Sequence, residues 1–314
     1  MSPRVSVNTI AKDAGSTIAD AIESTLRQSF QDFEHVLIDD GSRDDTRRII
    51  ERYAASDTRI RCVEAAPHAT LGQLRNQALL ASAGRYIAVL DADDVSLPDR
   101  LERQVGFLDS HPDYLLVGGT CYVRQGPDKP LRPSSLGLIT DADLLHATLP
   151  IQNTLAHSCV MYRRDVAIAV GGYDERLAMG QDYLLWLRLR ERGKMTNLAR
   201  VVAIRRVDTG FTERSDHVTR EAFALAARQI AKYERQARRL REDERLEAVL
   251  EEEAAFAERE RLAQTEWARA MRAEQSVWEI NAVTRTFYYR VCRRLVLSPL
   301  GRALRRLRRA FRAS

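Results

Sequence analysis

Tyr86-Ile87-Ala88-Val89-Leu90-Asp91-Ala92-Asp93-Asp94 is a short apolar run that ends directly in a group of carboxylates. The run is far too short to span a bilayer, and its length and composition predict a sheet strand over residues 86–90. In sheets of parallel strands, ligands bind beyond the carboxyl ends of the strands. We therefore expect the acidic residues after this strand to mark the functional edge of the protein.

Strands and helices alternate along the chain before this run. The predicted strand–helix pairs are Val5–Ile10 with Ser16–Ser29, His35–Ile38 with Asp45–Tyr53, Ile60–Val63 with Leu71–Ala81, and Tyr86–Leu90 with Pro98–Leu108. Such alternation predicts an α/β fold with a doubly wound, mostly parallel sheet. The segments predicted further along are an irregular crossing over Gly126–Pro150, a strand over Ser158–Tyr162 and a helix from Asp182 to Arg192.

Acidic residues also follow the second predicted strand, where Asp39 and Asp40 precede a Gly-Ser pair. Asp91 and Asp93 are two residues apart, so strand alternation points both carboxylates the same way. Two such carboxylates can share Mg²⁺ or Mn²⁺ with phosphate oxygens, although an Asp-rich turn after a strand is often purely structural. The second acidic strand end favours the metal site, because like charges at one edge are costly unless a cation binds.

A series of motifs resembles the family 2 glycosyltransferases, which have the GT-A fold, and it covers about two thirds of the chain. The motifs, in order, are Val5-Ser6-Val7, Asp39-Asp40-Gly41-Ser42, Arg75-Asn76, Leu90-Asp91-Ala92-Asp93-Asp94, Gly171-Gly172-Tyr173-Asp174-Glu175 and Gln181-Asp182-Tyr183-Leu184-Leu185-Trp186-Leu187-Arg188-Leu189. Each motif is modest alone, and their common order and spacing carry the resemblance. It implies a GT-A type sheet and a nucleoside diphosphate sugar as donor.

The resemblance also implies roles for residues of the donor site. Asp39 corresponds to the carboxylate that contacts the nucleotide base, commonly uracil, and Ala11 belongs to the aligned pair after the first strand. Asp91 would lie near the ribose, and Asp93 would bind the Mn²⁺ or Mg²⁺ that bridges the diphosphate. Arg75 would meet the diphosphate or ribose, where a guanidinium fork suits anionic oxygens.

Asp182 matches the catalytic base of the family. A base is required to remove the proton of the acceptor hydroxyl as its oxygen attacks the anomeric carbon, and a single displacement inverts that centre. A carboxylate at the start of a helix is stabilised in its ionised form. The alternative is that Asp182 only caps the helix.

The chain departs from the family pattern at several positions. The proline and asparagine expected after Val7 are absent, and glutamine replaces the usual glutamate at Gln181. Many members place a metal-binding histidine shortly after an Arg-Val pair, where this chain has Asp208. We predict that Asp208 is a metal ligand; the alternative is that the position has lost this role. His157 and Trp186 are candidates for acceptor contact, although a lone histidine beside a strand and a tryptophan on an apolar helix face are more often structural.

Charge and composition divide the 314 residues into three predicted parts. Residues 1–212 form the glycosyltransferase domain, residues 213–275 an Ala-, Glu- and Arg-rich helical extension, and residues 276–314 a basic amphipathic tail. The tail holds ten arginines against one acid and carries a net charge of +9, so the rest of the chain sums to −4. The four cysteines are scattered, and neither a secretory leader nor a transmembrane run is expected. We therefore expect a cytoplasmic protein.

Leucines and a phenylalanine recur at helical spacing among the arginines of the tail, a pattern typical of a helix on an anionic membrane. Nucleic acid or an acidic partner could neutralise the same charge, but the apolar stripe favours the membrane. A peripheral position at the inner membrane face would suit a glycan or lipid-linked acceptor. The leading function is thus an inverting, hexosyltransferase-like enzyme of polysaccharide biosynthesis; the alternatives are a noncatalytic sugar-nucleotide-binding relative and a nucleic-acid-binding protein acting through its tail.

Removing residues 276–314 is expected to release the protein from anionic vesicles while donor binding is retained. Each arginine near an anionic surface contributes about 1 kcal/mol to attachment. Co-sedimentation of full-length and truncated protein across ionic strengths measures the effect. Binding of the full-length protein to RNA or DNA with a steep salt slope, and not to vesicles, would contradict the membrane hypothesis.

Overall fold

A computed structural model describes residues 2–207 except 127, 135, 138 and 151, together with residues 228 and 231. Asp208 and, apart from those last two residues, the predicted extension and tail lie outside the described residues. Among the described residues, no helix is both long and apolar enough to cross a membrane.

The order of strands and helices follows the predicted alternation. The strands are β1 Val5–Ala11, β2 Phe33–Asp39, β3 Ile60–Val63, β4 Tyr86–Val89, β5 Val95–Ser96, β6 Tyr114–Arg124, β7 Arg132–Pro133, β8 Met161–Arg163 and β9 Lys194–Arg206. The α-helices are α1 Ile18–Leu26, α2 Thr46–Ser56, α3 Leu71–Ala81, α4 Arg100–Ser110, α5 Ala142–Thr148, α6 Arg164–Ala169 and α7 Gln181–Arg190, and a 3₁₀ helix spans His157–Cys159.

The described strands form one mixed sheet in the order β3-β2-β1-β4-β8-β6-β9-β5, with β7 added beside β6. The first four strands of this order are parallel, as are β6 and β9, whereas β8 runs antiparallel to both of its neighbours. The predicted α/β fold with a mostly parallel sheet is therefore confirmed. Helices cover both faces: Leu37 packs with α1 and α2, whereas its neighbours Val36 and Ile38 pack against α3.

Two segments differ from the prediction. The strand predicted over residues 158–162 starts only at Met161, because residues 157–159 form the 3₁₀ helix, closed by the N–H of Cys159 on the carbonyl of Ala156 at 2.9 Å. The segment predicted to be irregular contains β7 and α5. Helix α5 forms because Asp141 caps it through the N–H of Leu144 at 2.8 Å and buries that leucine.

Two buried polar side chains of α4 hold the strands together behind the acidic edge. Arg100 is 1% exposed and donates to the carbonyls of Val89 and Val160 at 2.8 and 3.1 Å. Gln104 donates to the carbonyls of Val117 and Cys159 at 3.2 and 2.8 Å. These bonds satisfy buried carbonyls of β4, β6 and the segment between the 3₁₀ helix and β8, which would otherwise be costly to bury.

His35 lies fully buried in the middle of β2. The hydroxyl of Thr9 donates to the carbonyl of Leu90 at 2.7 Å, so its oxygen accepts from His35 Nε2–H at 2.9 Å. Nδ1 then carries a lone pair without a hydrogen-bond partner. Burial lowers the pKa of His35 from 6.5 to about 3, because it removes the water that would solvate the charged ring.

His35→Leu is expected to flatten the pH dependence of stability. The unfolded chain takes up a proton at this histidine below pH 6.5 and the folded chain only near pH 3, so stability falls across that interval. The fall approaches about 1.4 kcal/mol per pH unit. Urea unfolding between pH 7 and pH 4.5 measures it, with His68→Leu in an exposed turn as the control. An unchanged slope in His35→Leu would contradict the assignment.

Candidate active site

The carboxyl ends of β1, β2 and β4 meet at one edge of the sheet. Ala11 and Asp39 are paired in register, and the N–H of Asp40 donates to the carbonyl of Ala11 at 2.8 Å. On the other side of β1, the N–H of Leu90 donates to the carbonyl of Asn8 at 3.1 Å. This register brings the acidic ends of β2 and β4 to opposite sides of the same central strand.

Asp39 lines a cleft between α2 and the ends of β2 and β3. Its carboxylate accepts from the hydroxyl of Ser42 and, at 3.3 Å, from the N–H of that residue. Asp39 and Leu37 share the face of β2 that packs toward α2. The lining residues are Asp39, Arg47, Glu51, Cys62, Val63, Glu64 and Ala65. More than half of the side chains that line the cleft are therefore charged, and they include Asp39, a predicted donor-binding residue.

Asp91 is held by two consecutive residues of the 3₁₀ helix. Its N–H donates to the hydroxyl of Ser158 at 2.9 Å, and its Oδ1 lies 3.3 Å from Nδ1 of His157. Burial raises the pKa of Asp91, but the opposing effects of His157, Arg75 and Arg205 are larger in sum and lower it below the usual range. Asp91 is thus an ionised carboxylate with a fixed orientation.

Asp94, which the sequence analysis did not single out, is almost fully buried. Burial first, and then the charge of Asp91, raise its pKa to about 8, while Arg205 opposes the shift. Its Oδ1 accepts from the N–H of Arg206 at 2.9 Å, and its Oδ2 lies 3.6 Å from Nε of Arg205. The negative charge of Asp93 also raises the pKa of Asp94. Through its contacts with Arg205 and Arg206, Asp94 ties the acidic turn to the end of β9.

The acidic turn offers only oxygen ligands to a cation, a donor set that suits Mg²⁺ or Mn²⁺. Within residues 2–207 as described, no three histidine, cysteine or acidic side chains surround a common metal position. A cation held at Asp93 would therefore take further oxygen ligands from substrate and water. The predicted ligand Asp208 lies just beyond the last described residue of this segment.

Arg75 connects the acidic edge with the start of α7. Its Nη1 donates to Oε1 of Gln181 at 3.1 Å, and its Nη2 lies 3.5 Å from Nδ1 of His157. The guanidinium carbon sits 5.5 Å from the ring centroid of Tyr173. Gln181 in turn donates from Nε2 to the carbonyls of Leu177 and residue 178 at 2.8 and 2.9 Å. An amide satisfies all three contacts, whereas a carboxylate could not donate to the two carbonyls.

Asp182 is the second residue of α7 and is partly exposed. The helix begins after Gly180, whose φ of 76° turns the chain sharply into it. Burial, foremost, raises the pKa of Tyr173 to about 12, and the negative charge of Asp182 adds to the rise. Because the adjacent Gln181 accepts a hydrogen bond from Arg75, Asp182 lies on the α7 side of the acidic edge, next to the residue that Arg75 contacts.

The Gly-Gly-Tyr-Asp-Glu motif forms a turn that holds Tyr173 in place. Asn76 donates to the carbonyl of Tyr173 at 2.9 Å and accepts from its N–H at 2.8 Å. Asp174 pairs with Arg176 and Arg188, and these arginines, led by the hydrogen bond from Arg176, lower its pKa to about 2. The second glycine, Gly172, has a φ of 64°, and a Cβ there would lie 2.5 Å from Oδ1 of Asn76.

Trp186, a candidate for acceptor contact, has no exposed surface. Its ring centroid lies 5.9 Å from that of Tyr162 and 6.2 Å from that of His157. Trp186 is thus a core residue that supports the ring of His157, and the acceptor role is wrong for it because no substrate can reach it. The side chain of His157 is 10% exposed.

Comparison with known proteins is consistent with this arrangement. The family model for glycosyl transferase family 2 matches residues 6–171, slightly more than half of the chain. This chain belongs to that family. EpsE of Bacillus subtilis, which is named as a glycosyltransferase, is 34% identical over 195 residues, which cover 61% of this chain and 68% of EpsE. The amylovoran biosynthesis glycosyltransferase AmsE of Erwinia amylovora is 28% identical over 184 residues, or 58% of this chain and 67% of AmsE.

Two solved structures share the fold of this family 2 glycosyltransferase at low sequence identity. TarS 1–349 of S. aureus in complex with UDP-GlcNAc has a TM-score of 0.60 and 20% identity, and the match covers 74% of this chain and 66% of that one. The mannosyltransferase PcManGT of Pyrobaculum calidifontis, in complex with GDP-Man and Mn²⁺, has a TM-score of 0.55 and 18% identity, with 97% and 83% covered. The GT-A fold is therefore confirmed.

The matched range of the glycosyltransferase family includes most of the predicted site residues. Inside residues 6–171 lie Ala11, Asp39, Arg75, Asp91 and Asp93. The predicted base on α7 follows that range. Its position beside the Arg75 network rests on the geometry of this chain alone.

Proposed function

We propose that this glycosyltransferase transfers a sugar from a nucleoside diphosphate donor, UDP-linked, to an acceptor hydroxyl with inversion of the anomeric centre. The observation that carries the proposal is that the end of β4 and the start of α7 come together at one group of side chains. The donor-side carboxylate Asp91 and the proposed base Asp182, on α7, flank one connected set of side chains made of Arg75, His157 and Tyr173. A donor bound at the acidic edge would thus lie beside the base.

The donor half of the proposal rests on four residues. Asp39 opens into the cleft beside α2 and is assigned to the nucleotide base, with Ala11 on the adjacent strand end. Asp91 is assigned to the ribose, since two residues of the 3₁₀ helix hold its backbone and its carboxylate in place. Arg75 is assigned to the diphosphate, for which its guanidinium is a suitable partner. The complexes of TarS with UDP-GlcNAc and UDP support uracil, and the complex of PcManGT with GDP-Man makes guanine the alternative to test.

The metal is assigned to Asp93, together with Asp208. A divalent cation there would neutralise the charge that develops on the departing diphosphate. The all-oxygen character of the acidic turn favours Mn²⁺ or Mg²⁺ over a softer metal. The Mn²⁺ complex of PcManGT supports the same choice.

Asp182 is assigned the proton transfer. As an ionised carboxylate near the start of α7, it would accept the proton of the acceptor hydroxyl while that oxygen attacks the anomeric carbon. The amide nitrogen of Gln181 donates to the carbonyls of residues 177 and 178, which fixes the neighbouring backbone. The amide oxygen of Gln181 accepts from Arg75 and so holds the guanidinium. The base is thus carried on a rigid helix start, which favours a constant distance to the donor.

The acceptor is proposed to be a growing glycan or a lipid-linked sugar in polysaccharide biosynthesis. The name of AmsE, which refers to amylovoran biosynthesis, supports this class of product. The basic tail at residues 276–314 would bring the enzyme to the membrane surface where such acceptors are found. A noncatalytic relative would bind the donor without turning it over, which the experiments below distinguish.

Asp93→Ala is expected to abolish metal-dependent nucleotide binding and leave the fold intact. The substitution removes one of the two carboxylates assigned to the cation. Isothermal titration of UDP and of GDP, each with and without Mn²⁺, measures the affinity. The control is Asp99→Ala, which removes a half-exposed carboxylate directly before α4. Equal affinity in Asp93→Ala and wild type would remove Asp93 from the metal site.

Asp182→Asn is expected to retain UDP affinity and lose transfer by on the order of 10²–10⁴-fold, the contribution of a positioned base. The measurement is single-turnover transfer from a UDP-sugar to the acceptor, with nucleotide affinity measured in parallel. Near wild-type transfer in this variant would show that another group is the base. Nucleotide binding without any transfer by the wild type would support the noncatalytic alternative.

A further inference from the structure

One ring nitrogen of His157 lies near Asp91, the residue proposed to bind the ribose, and the other lies near the buried Tyr173. Nδ1 lies 3.3 Å from Oδ1 of Asp91, and Nε2 lies 3.2 Å from the hydroxyl of Tyr173. That hydroxyl lies 3.2 Å from the hydroxyl of Tyr162, which is itself fully buried. Four side chains therefore form one line of contacts that runs from the core to the functional edge.

The chemistry of the two ends fixes the direction of these hydrogen bonds. Oδ1 of the Asp91 carboxylate is the acceptor in its 3.3 Å contact with His157, so Nδ1 of His157 carries the hydrogen. When Nε2 carries no hydrogen it accepts from the hydroxyl of Tyr173, and that oxygen in turn accepts from Tyr162. Both tyrosines can donate, because burial raises the pKa of Tyr173 to about 12 and that of Tyr162 well above its usual value.

The opposite tautomer is unfavourable. It would place the Nδ1 lone pair against the carboxylate of Asp91 at 3.3 Å, with only the longer 3.5 Å contact from Arg75 in compensation. The ring itself has little freedom, because its centroid lies 5.9 Å from that of Tyr173 in an edge-to-face arrangement and 6.2 Å from that of Trp186. The Nδ1–H group is therefore aimed at one oxygen of Asp91.

We propose that His157 is a positioning residue for the donor nucleotide. Its Nδ1–H donates to Oδ1 of Asp91 and thereby fixes the orientation in which that carboxylate meets the ribose hydroxyls. The inference rests on the proposed function, in which Asp91 binds the donor. Ser158 fixes the backbone of Asp91 from the next position of the 3₁₀ helix, so the side chain and main chain of one residue are held by two neighbours. The far end of the ring, toward the tyrosines, serves only to fix the tautomer.

Two substitutions separate the two nitrogens of the ring. In His157→Asn the new amide nitrogen reaches the place of Nδ1, whereas in His157→Gln it reaches the place of Nε2. His157→Asn is expected to bind UDP with Mn²⁺ within about threefold of wild type. His157→Gln is expected to lose roughly tenfold or more, the effect of one hydrogen bond to a charged group. With the acceptor present, His157→Gln raises the KM for the donor and leaves kcat nearly unchanged.

A double-mutant cycle tests whether His157 acts through Asp91. In an Asp91→Asn background, His157→Gln is expected to change UDP affinity by less than about twofold, because the oriented carboxylate is already lost. Thermal unfolding of each variant checks that it is folded. The control is His111→Asn, which replaces an exposed histidine at the end of α4. Equal losses in His157→Asn and His157→Gln, or a full tenfold loss in the Asp91→Asn background, would overturn the assignment. Failure of the wild type to bind either UDP or GDP with Mn²⁺ would overturn the proposed function, and this inference with it.

Discussion

Repulsion among carboxylates at the end of β4 is the constraint to which the surrounding structure responds. Burial first, and then the charges of Asp91 and Asp93, raise the pKa of Asp94, which is buried beneath the edge. Three arginines from three different elements compensate this charge: Arg75 on α3, Arg100 on α4 and Arg205 on β9. The packing of these elements is thus coupled to the site electrostatically as well as through apolar contacts. Removing one of these arginines would disturb both the packing of its element and the charge balance of the site.

The alternation of apolar runs and helical stretches was sufficient to predict the parallel half of the sheet, because such strands are buried on both faces and have helices after them. It was insufficient for the 3₁₀ helix at residues 157–159. Ser158 and Cys159 suit a strand by size, whereas the contacts of His157 and Ser158 with Asp91, far away in sequence, favour a tight turn. Short elements of this kind depend on tertiary partners that periodicity does not reveal.

The positions of Asp39, Asp91 and Asp93 at one sheet edge could be predicted, since strand ends align in a parallel sheet. The network around Arg75 could not, because its partners lie about a hundred residues away along the chain. The substitution to glutamine at Gln181 illustrates the difference. In sequence it is a lost charge, whereas in the structure its amide donates to two carbonyls and accepts from the guanidinium.

Cys62 lines the cleft beside Asp39 and is exposed, whereas Cys121 and Cys159, the other described cysteines, are buried. Burial of its sulfur, foremost, raises the pKa of Cys62, so the reactive thiolate forms only as the solution becomes alkaline. The native chain thus carries a chemical handle at the rim of the cleft assigned to the nucleotide base. A small thiol-reactive fluorophore attached there at mildly alkaline pH would turn occupancy of that cleft into an optical signal.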